Sequence, residues 1–178
     1  MIEKKICMLG AFAVGKTSLV RRFVSSCFSD QYQTTIGVTV DKKSMTIDGT
    51  PLTLVLWDLY GEDEFQKLRA SYLRGSSGYL LVLDGMRRAT LDIALHIQER
   101  ATETLGPVPF VVLMNKHDRR AEWEITDQDL AQLAQRGWSF VMGSAKTGQG
   151  VEDAFTTLAR AMLATSDASP TAGKTHGS

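Results

Sequence analysis

Residues 10–17, with the sequence GAFAVGKT, have the types and spacing of a loop that cradles phosphate groups. Glycines at both ends let the backbone curve so that successive N–H groups face an anion, and the N-terminus of the following helix adds partial positive charge. Lys16 provides a cation for β- and γ-phosphates, and Thr17 provides a hydroxyl for Mg²⁺. The alternative is an ordinary glycine-containing turn, which the strand pattern before the loop and the helical pattern after it disfavour.

Residues 115–118, with the sequence NKHD, follow an apolar run at a place where a ligand-binding loop is expected. The Asp118 carboxylate can accept hydrogen bonds from guanine N1–H and from the 2-amino group, a donor pair that adenine lacks. An acceptor left unpaired is costly, so such a site can reject the wrong base by roughly 10⁴-fold. Lys116 is expected to lie along the base plane, and Asn115 to tie the loops together. The two motifs together predict a guanine nucleotide.

The motifs resemble those of the Ras superfamily of small GTPases, the Rab-like branch in particular, over about residues 3–164. Residues 34–37 (TTIG) resemble switch I, which implies that Thr35 reaches Mg²⁺ and the γ-phosphate. Residues 57–62 (WDLYGE) resemble switch II, which implies that Asp58 holds Mg²⁺ through water and that the Gly61 N–H contacts the γ-phosphate. The resemblance implies a switch in which the γ-phosphate and the metal hold two loops that hydrolysis releases.

The resemblance also implies the complete site, with GTP or GDP and Mg²⁺ as cofactors. Residues 144–146 (SAK) resemble the last loop that contacts the base, and Phe28 matches the aromatic residue that packs against guanine. The nucleotide contacts are then Ala13, Val14, Gly15, Lys16, Thr17, Ser18, Phe28, Thr35, Gly61, Asn115, Lys116, Asp118, Ser144, Ala145 and Lys146. The metal ligands are Thr17, Thr35 and Asp58, and the catalytic residues are Lys16, Thr35, Gly61 and Glu62.

The sequence departs from the family pattern at three sites near the γ-phosphate. Glu62 stands where the family has glutamine, and an ionised carboxylate can accept a hydrogen bond but cannot donate one. Phe12 stands where most members keep a glycine and where an inserted arginine finger must pass. Tyr60 follows Leu59 in place of two small residues. We expect slow hydrolysis without ordinary arginine-finger activation. As alternatives, Glu62 could act as a base or lie in a solvated acidic face, and Phe12 could fold back onto switch II, against Tyr60.

Three functions remain to be compared. The leading one is a guanine-nucleotide-dependent molecular switch with slow GTP hydrolysis. The second is a GTP-locked binding module with negligible hydrolysis, which Glu62 and Phe12 favour, whereas Thr17, Thr35 and Asp58 favour a normal magnesium site. The third, an ATP-using P-loop kinase, is disfavoured by Asp118 and by the lack of a phosphoacceptor lid in the sequence.

The elements that must position these residues alternate between strand and helix. Val38–Ile47 and Leu52–Trp57 read as strands joined around Asp48-Gly49, a strong hairpin signal. Gly78–Asp84 and Phe110–Asn115 are apolar runs typical of central parallel strands. The other predicted elements are a strand at Ile6–Leu9 and helices at Lys16–Val24, Leu91–Leu105, Asp127–Gln135 and Val151–Met162. We expect an α/β P-loop NTPase fold of three α/β/α layers, with a six-stranded, mostly parallel sheet and one antiparallel edge strand.

Composition excludes several other classes. The 178 residues contain 20 Lys+Arg and 20 Asp+Glu, so no global positive field argues for nucleic acid or an anionic membrane. Two cysteines do not make a disulfide framework, and no apolar run has the length of a signal peptide or membrane span.

We expect a cytoplasmic monomer with a GTPase domain at residues 1–164 and a disordered tail at residues 165–178. Rab proteins end in prenylated cysteines, whereas no cysteine follows Cys27, so we expect no direct lipid anchor.

Protein partners are expected at the two switch segments. Effectors and regulators would bind through Thr34–Val40 and Trp57–Tyr72. Trp57 and Tyr72 match two of three aromatic residues that Rab proteins show to effectors, and Val40 takes the third position. Ordinary half-buried packing is an equal alternative for these residues. Four arginines are expected to be solvated: Arg69, Arg74, Arg87 and Arg88.

Overall fold

A computed structural model of the chain describes residues 1–26, 28–29, 37–59 and 70–167. Within these residues, six strands form a sheet in the order β2-β3-β1-β4-β5-β6. The strands are β1 Ile2–Gly10, β2 Val38–Ile47, β3 Thr50–Leu59, β4 Gly78–Asp84, β5 Phe110–Asn115 and β6 Phe140–Met142. Their order confirms the predicted six-stranded α/β sheet.

One edge of the sheet is an antiparallel hairpin. β2 runs antiparallel to β3, with Val38 opposite Leu59 and Ile47 opposite Thr50, while the other neighbouring strands pair in parallel. The connecting residues Asp48 and Gly49 have φ angles of 48° and 83°. Asp and Gly both tolerate positive φ, and this local preference is why the hairpin could be predicted.

Helices cover both faces of the sheet. They are α1 Lys16–Ser25, a short α2 Ala70–Leu73, α3 Ala89–Leu105, a 3₁₀ segment His117–Glu122, α4 Asp127–Gln135 and α5 Val151–Asp167. On one face α1 and α5 pack together, and the rings of Phe23 and Phe155 stack at 3.9 Å. On the other face α3 and α4 pack on β4 and β5. Because β4 is buried along its whole length, its sequence is almost wholly apolar.

Helix α5 continues beyond its predicted end. The sequence places the start of a tail at residue 165, but the helix runs to Asp167. The hydroxyls of Thr165 and Ser166 donate to the carbonyls of Ala161 and Met162, one turn earlier. These polar residues therefore continue the helix with their side chains bonded to its backbone. Residues 168–178 of the predicted tail lie outside the described residues.

The candidate site residues lie at one edge of the sheet, at the carboxyl ends of the parallel strands. The phosphate-loop motif follows β1, Asp58 lies near the end of β3, Asp84 ends β4, and Asn115 ends β5. This edge is where open α/β sheets bind ligands. No helix in the described part of the chain has the length and apolarity needed to cross a membrane.

Candidate functional site

The loop between β1 and α1 has a backbone that requires glycine at two positions. Gly10 has a φ of 150°, and a Cβ there would lie 2.4 Å from the carbonyl oxygen of Val82. Gly15 has a φ of 104°, and a Cβ there would lie 2.3 Å from Nδ2 of Asn115. Ala13 also has a positive φ, 59°, which residues with a side chain rarely adopt. The loop is therefore tightly curved and lies against the strand ends of β4 and β5.

Lys16 is held over this loop. Its side chain is buried, and Nζ donates to the carbonyl oxygens of Gly10 at 2.8 Å and Ala11 at 3.0 Å. Val14 is fully buried in the core, whereas Ser18 is half-buried on α1. The loop thus combines a fixed cation with the N-terminus of α1, an arrangement that suits phosphate groups.

Two oxygen-bearing side chains converge beside the loop. The Thr17 hydroxyl donates to Oδ2 of Asp58 at 2.5 Å, and Asp58 is buried near the end of β3. A hydroxyl and a carboxylate are the kind of hard oxygen donors that Mg²⁺ binds next to phosphates. The donor set present in the structure therefore fits Mg²⁺. Thr35, the third predicted metal ligand, lies outside the described residues, as do Gly61 and Glu62.

Asn115 joins the loops that the sequence predicts to contact the base and the phosphates. Its Nδ2 donates to the carbonyl of Val14 at 2.8 Å, and its Oδ1 accepts from the N–H of Ala145 at 3.1 Å. The side chain is buried. The expectation that Asn115 ties the loops together is confirmed by these two hydrogen bonds.

The rest of the base motif is fixed by further contacts. Lys116 has a φ of 70°, and its Nζ donates to Oδ2 of Asp84 at 2.7 Å. Asp118 is exposed, and its Oδ1 accepts from the hydroxyl of the buried Ser144 at 2.6 Å. Because Ser144 fixes one oxygen, the carboxylate has a defined orientation toward solvent, as a base acceptor would need.

Arg22 connects helix α1 to the loop that contains Ala145 and Lys146. Its Nε donates to the Ala145 carbonyl at 2.8 Å, and its Nη2 donates to the Lys146 carbonyl at 2.5 Å. Phe28 is half-buried against the core cluster that includes α1 and α5. The structure therefore brings the described site residues to one edge of the sheet.

Apolar residues are exposed in the phosphate loop and on β2. Phe12 is 40% exposed and Val40 is 47% exposed. Trp57 and Tyr72 are half-buried and pack against the core, and the Lys5 ammonium lies 3.7 Å from the Trp57 ring centroid. The alternative in which Phe12 packs against Tyr60 involves a residue outside the described part of the chain.

Comparison with known proteins identifies the family. A model of the Ras family matches residues 5–164. The chain is 33% identical over 165 residues to Ras-related protein Rab-1 of Theileria parva, covering 89% of this chain and 73% of that protein. It is 33% identical over 165 residues to Ras-related protein Rab-18 of Caenorhabditis briggsae, covering 92% of this chain and 82% of that protein.

This chain belongs to the Ras family. It is a Rab-related small GTPase, a nucleotide-dependent switch with the P-loop fold that the sequence predicts. Ras-family proteins in general bind a guanine nucleotide with Mg²⁺, and the loops described above have the donors for both. Membership in the family also implies GTP hydrolysis.

Sequence reasoning missed residues that support this Ras-family site. Asp84 is a buried carboxylate that receives Lys116 Nζ, and Trp123 donates from Nε1 to the Lys116 carbonyl at 2.8 Å. Asp84 could have been found, because it ends an apolar strand at the ligand-binding edge. Trp123 offers no such signal, since its ring packs against Gly85, which is distant in sequence. A Cβ on Gly85 would lie 2.1 Å from the Trp123 ring, so glycine is required there.

Arg87 and Arg88 are exposed, as expected for solvated arginines, but each also makes an ion pair that the sequence did not predict. Both guanidinium groups donate to buried carboxylates: Arg87 Nε to Asp84 Oδ2 at 3.0 Å, and Arg88 Nη2 to Asp129 Oδ1 at 2.9 Å. Asp129 also accepts from the Thr126 N–H in a capping box that begins α4. That hydrogen bond, together with Arg88 and the Thr126 hydroxyl, holds the pKa of Asp129 below its ordinary value.

Proposed function

We propose that this protein binds GTP and GDP with Mg²⁺ through the residues named above and hydrolyses GTP slowly. The observation that supports slow hydrolysis is Phe12, a residue that is 40% exposed on the phosphate loop. A phenyl ring there occupies space through which an arginine from a partner protein would have to pass. Support for binding comes from the fixed orientations of Lys16, Asn115 and Asp118.

The phosphate end would act mainly through electrostatics. Lys16 and the backbone N–H groups of Ala13, Val14 and Gly15 would bind phosphate oxygens, with Thr17 and Ser18 at the start of α1. Thr17, Asp58 and Thr35 would hold Mg²⁺, which neutralises charge that develops on the phosphates. The Gly61 N–H would contact the γ-phosphate, and Glu62 would take the position of the residue that orients the attacking water.

The base end would choose the nucleotide. The exposed Asp118 carboxylate would accept from guanine N1–H and the 2-amino group, while Ser144 holds its other side. Lys116 and Phe28 would flank the base, and Ala145 and Lys146 would close the pocket from the loop that Arg22 holds. An adenine nucleotide would leave the Asp118 acceptor unpaired, which is the physical basis of discrimination.

Partner proteins would bind through Thr34–Val40 and Trp57–Tyr72. Among the described residues of these segments, Val40 is exposed, whereas Trp57 and Tyr72 are half-buried. Hydrolysis would change the contacts of the switch segments with the γ-phosphate and so alter this surface. We place the protein in the cytoplasm, because two cysteines do not make a disulfide framework and fit a reducing compartment, and we propose that it is a monomer.

The second candidate is a GTP-locked binding module with negligible hydrolysis, which Phe12 and Glu62 favour. Chromatography of the nucleotide released from the freshly purified protein separates the two. Mostly GDP is expected for a switch that turns over, even slowly, during purification. Mostly GTP would favour the locked module. Preferential retention of ATP would contradict both functions.

A further inference from the structure

Arg87 connects a buried carboxylate to the phosphate loop. Its Nε donates to Oδ2 of Asp84 at 3.0 Å, and its Nη2 donates to the carbonyl oxygen of Phe12 at 2.7 Å. Asp84 is 1% exposed and is held in turn by the Met86 N–H and Lys116 Nζ. The guanidinium is therefore anchored at one end, so its other end presents a fixed donor to the loop.

The acceptor of this hydrogen bond belongs to the peptide group that leads into Ala13, a residue with a positive φ. The carbonyl of Phe12 and the N–H of Ala13 share one planar peptide, in which the two groups point in opposite directions. A donor that fixes the carbonyl consequently fixes the direction of the N–H. Ala13 has a φ of 59°, a conformation that residues with a side chain rarely adopt. A hydrogen bond from outside the loop therefore stabilises this peptide.

We propose that Arg87 is a positioning residue of the phosphate loop. It holds the Phe12–Ala13 peptide so that the Ala13 N–H faces the phosphates of a bound guanine nucleotide. The charged donor on the carbonyl also polarises the peptide and makes the N–H a stronger hydrogen-bond donor. This inference rests on the proposed nucleotide binding, and it assigns to this chain an arginine that acts on the loop from within the same molecule.

The next residue along the chain provides a matched control. Arg88 has a side-chain exposure of 50%, similar to the 43% of Arg87, and it also binds a buried carboxylate. Its partner, Asp129, lies on α4 and not on the phosphate loop. A change at Arg88 therefore removes an equivalent ion pair and leaves the Phe12 carbonyl contact intact.

The test measures dissociation of fluorescently labelled GDP and IDP from the full chain with Mg²⁺, for wild type, Arg87→Gln, Arg87→Lys and Arg88→Gln. IDP has the phosphates of GDP but lacks the 2-amino group, so the GDP-to-IDP ratio of rates reports on the base end. Arg87→Gln is expected to accelerate dissociation of both nucleotides about five- to tenfold, because it removes a charged hydrogen bond that is partly exposed. Arg88→Gln is expected to change it by less than about twofold.

The nucleotide dissociation rate of Arg87→Lys is expected to lie between those of wild type and Arg87→Gln. One ammonium group keeps the charge but cannot contact both Asp84 and the Phe12 carbonyl. Equal dissociation rates for Arg87→Gln and Arg88→Gln would overturn the proposal. A changed GDP-to-IDP ratio in Arg87→Gln would also overturn it, because Arg87 would then act through Asp84 and Lys116. If wild type bound neither nucleotide, the proposed function would itself be wrong, which is a different result from equal rates in the variants.

Discussion

The two ends of the nucleotide site differ in how closely they follow the family pattern. At the base end, Asn115, Lys116, Asp118 and Ser144 have the expected types, and each is fixed by a hydrogen bond to another loop or strand. At the phosphate end, the supporting glycines and Lys16 are retained, but exposed Phe12 and strained Ala13 lie between them.

In the function proposed above, binding and hydrolysis would be controlled at separate places. The base end would determine which nucleotide is held, and its hydrogen bonds involve the buried Asn115, Asp84 and Ser144. The exposed Phe12 of the phosphate loop would limit what can approach the γ-phosphate. A protein can therefore change its rate of turnover at this loop while its choice of nucleotide stays the same.

The largest expected effect is on base choice. Asp118→Asn should shift preference from guanine toward xanthine nucleotides by about 10³-fold, because an amide can donate to the 2-oxo group of xanthine. Ser144 keeps an oxygen acceptor in this variant, so the loop should remain in place. Competition between GDP and XDP measures the shift. An unchanged preference would place base recognition at another residue.

Gly15→Ala should disrupt the packing of the phosphate loop against Asn115 of the base motif. Its Cβ would lie 2.3 Å from Asn115 Nδ2, and we expect a loss of about 3 kcal/mol or more in the free energy of unfolding. Gly75→Ala is the control, since Gly75 also has a positive φ, 79°, but has open space for a Cβ. It should cost only about 1 kcal/mol. Urea unfolding compares them, and equal losses would show that Asn115 does not pack closely on the loop.

Trp123→Phe should have a smaller effect, confined to the base end. It removes the hydrogen bond from Nε1 to the Lys116 carbonyl and keeps an aromatic ring against Gly85. A neutral hydrogen bond of about 1 kcal/mol corresponds to roughly fivefold faster GDP dissociation. Trp138→Phe, at a ring that contacts Phe110 instead, should leave the rate unchanged. Similar rates in both variants would contradict a role for Trp123 in holding Lys116.

The smallest expected effect lies outside both ends, at Asp129. Its pKa is lowered by the Thr126 N–H first, and by Arg88 and the Thr126 hydroxyl. The stability that its charge contributes is therefore present above the ordinary pKa of an aspartate and is lost as the pH falls through the lowered value. Melting temperatures from pH 7 to pH 3 should decline more for wild type than for Asp129→Asn. Parallel declines would exclude a contribution from this charge.

Local sequence signals predicted much of the fold. The bounds of β2, β4 and β5 agree with the prediction. The turn residues Asp48 and Gly49 end β2, and polar residues end the apolar runs of β4 and β5. β6 was not identified individually, since Phe140–Met142 is three residues long and is defined by its pairing with β5. The predicted helix at residues 151–162 is real but ends five residues later.

The phosphate and base motifs could be located from the sequence, but the contacts that support their residues could not be derived from it. Arg87 reaches Phe12 across 75 positions, and nothing in its sequence neighbourhood distinguishes it from Arg88. Gly85 and Trp123 fit together only when β4 and the segment after β5 are adjacent. Such pairs depend on the arrangement of elements in space, whereas the phosphate and base motifs are continuous in sequence.

The central claim, ordinary binding with slow hydrolysis, is tested most directly by single-turnover GTP hydrolysis with Mg²⁺. Wild type should be measured beside Phe12→Gly, Glu62→Gln and the double variant. We predict a wild-type rate constant below about 10⁻⁴ s⁻¹, under the roughly 4 × 10⁻⁴ s⁻¹ of an unassisted Ras-type protein, and faster hydrolysis by the double variant. A wild-type rate constant of about 4 × 10⁻⁴ s⁻¹ or higher would contradict the account.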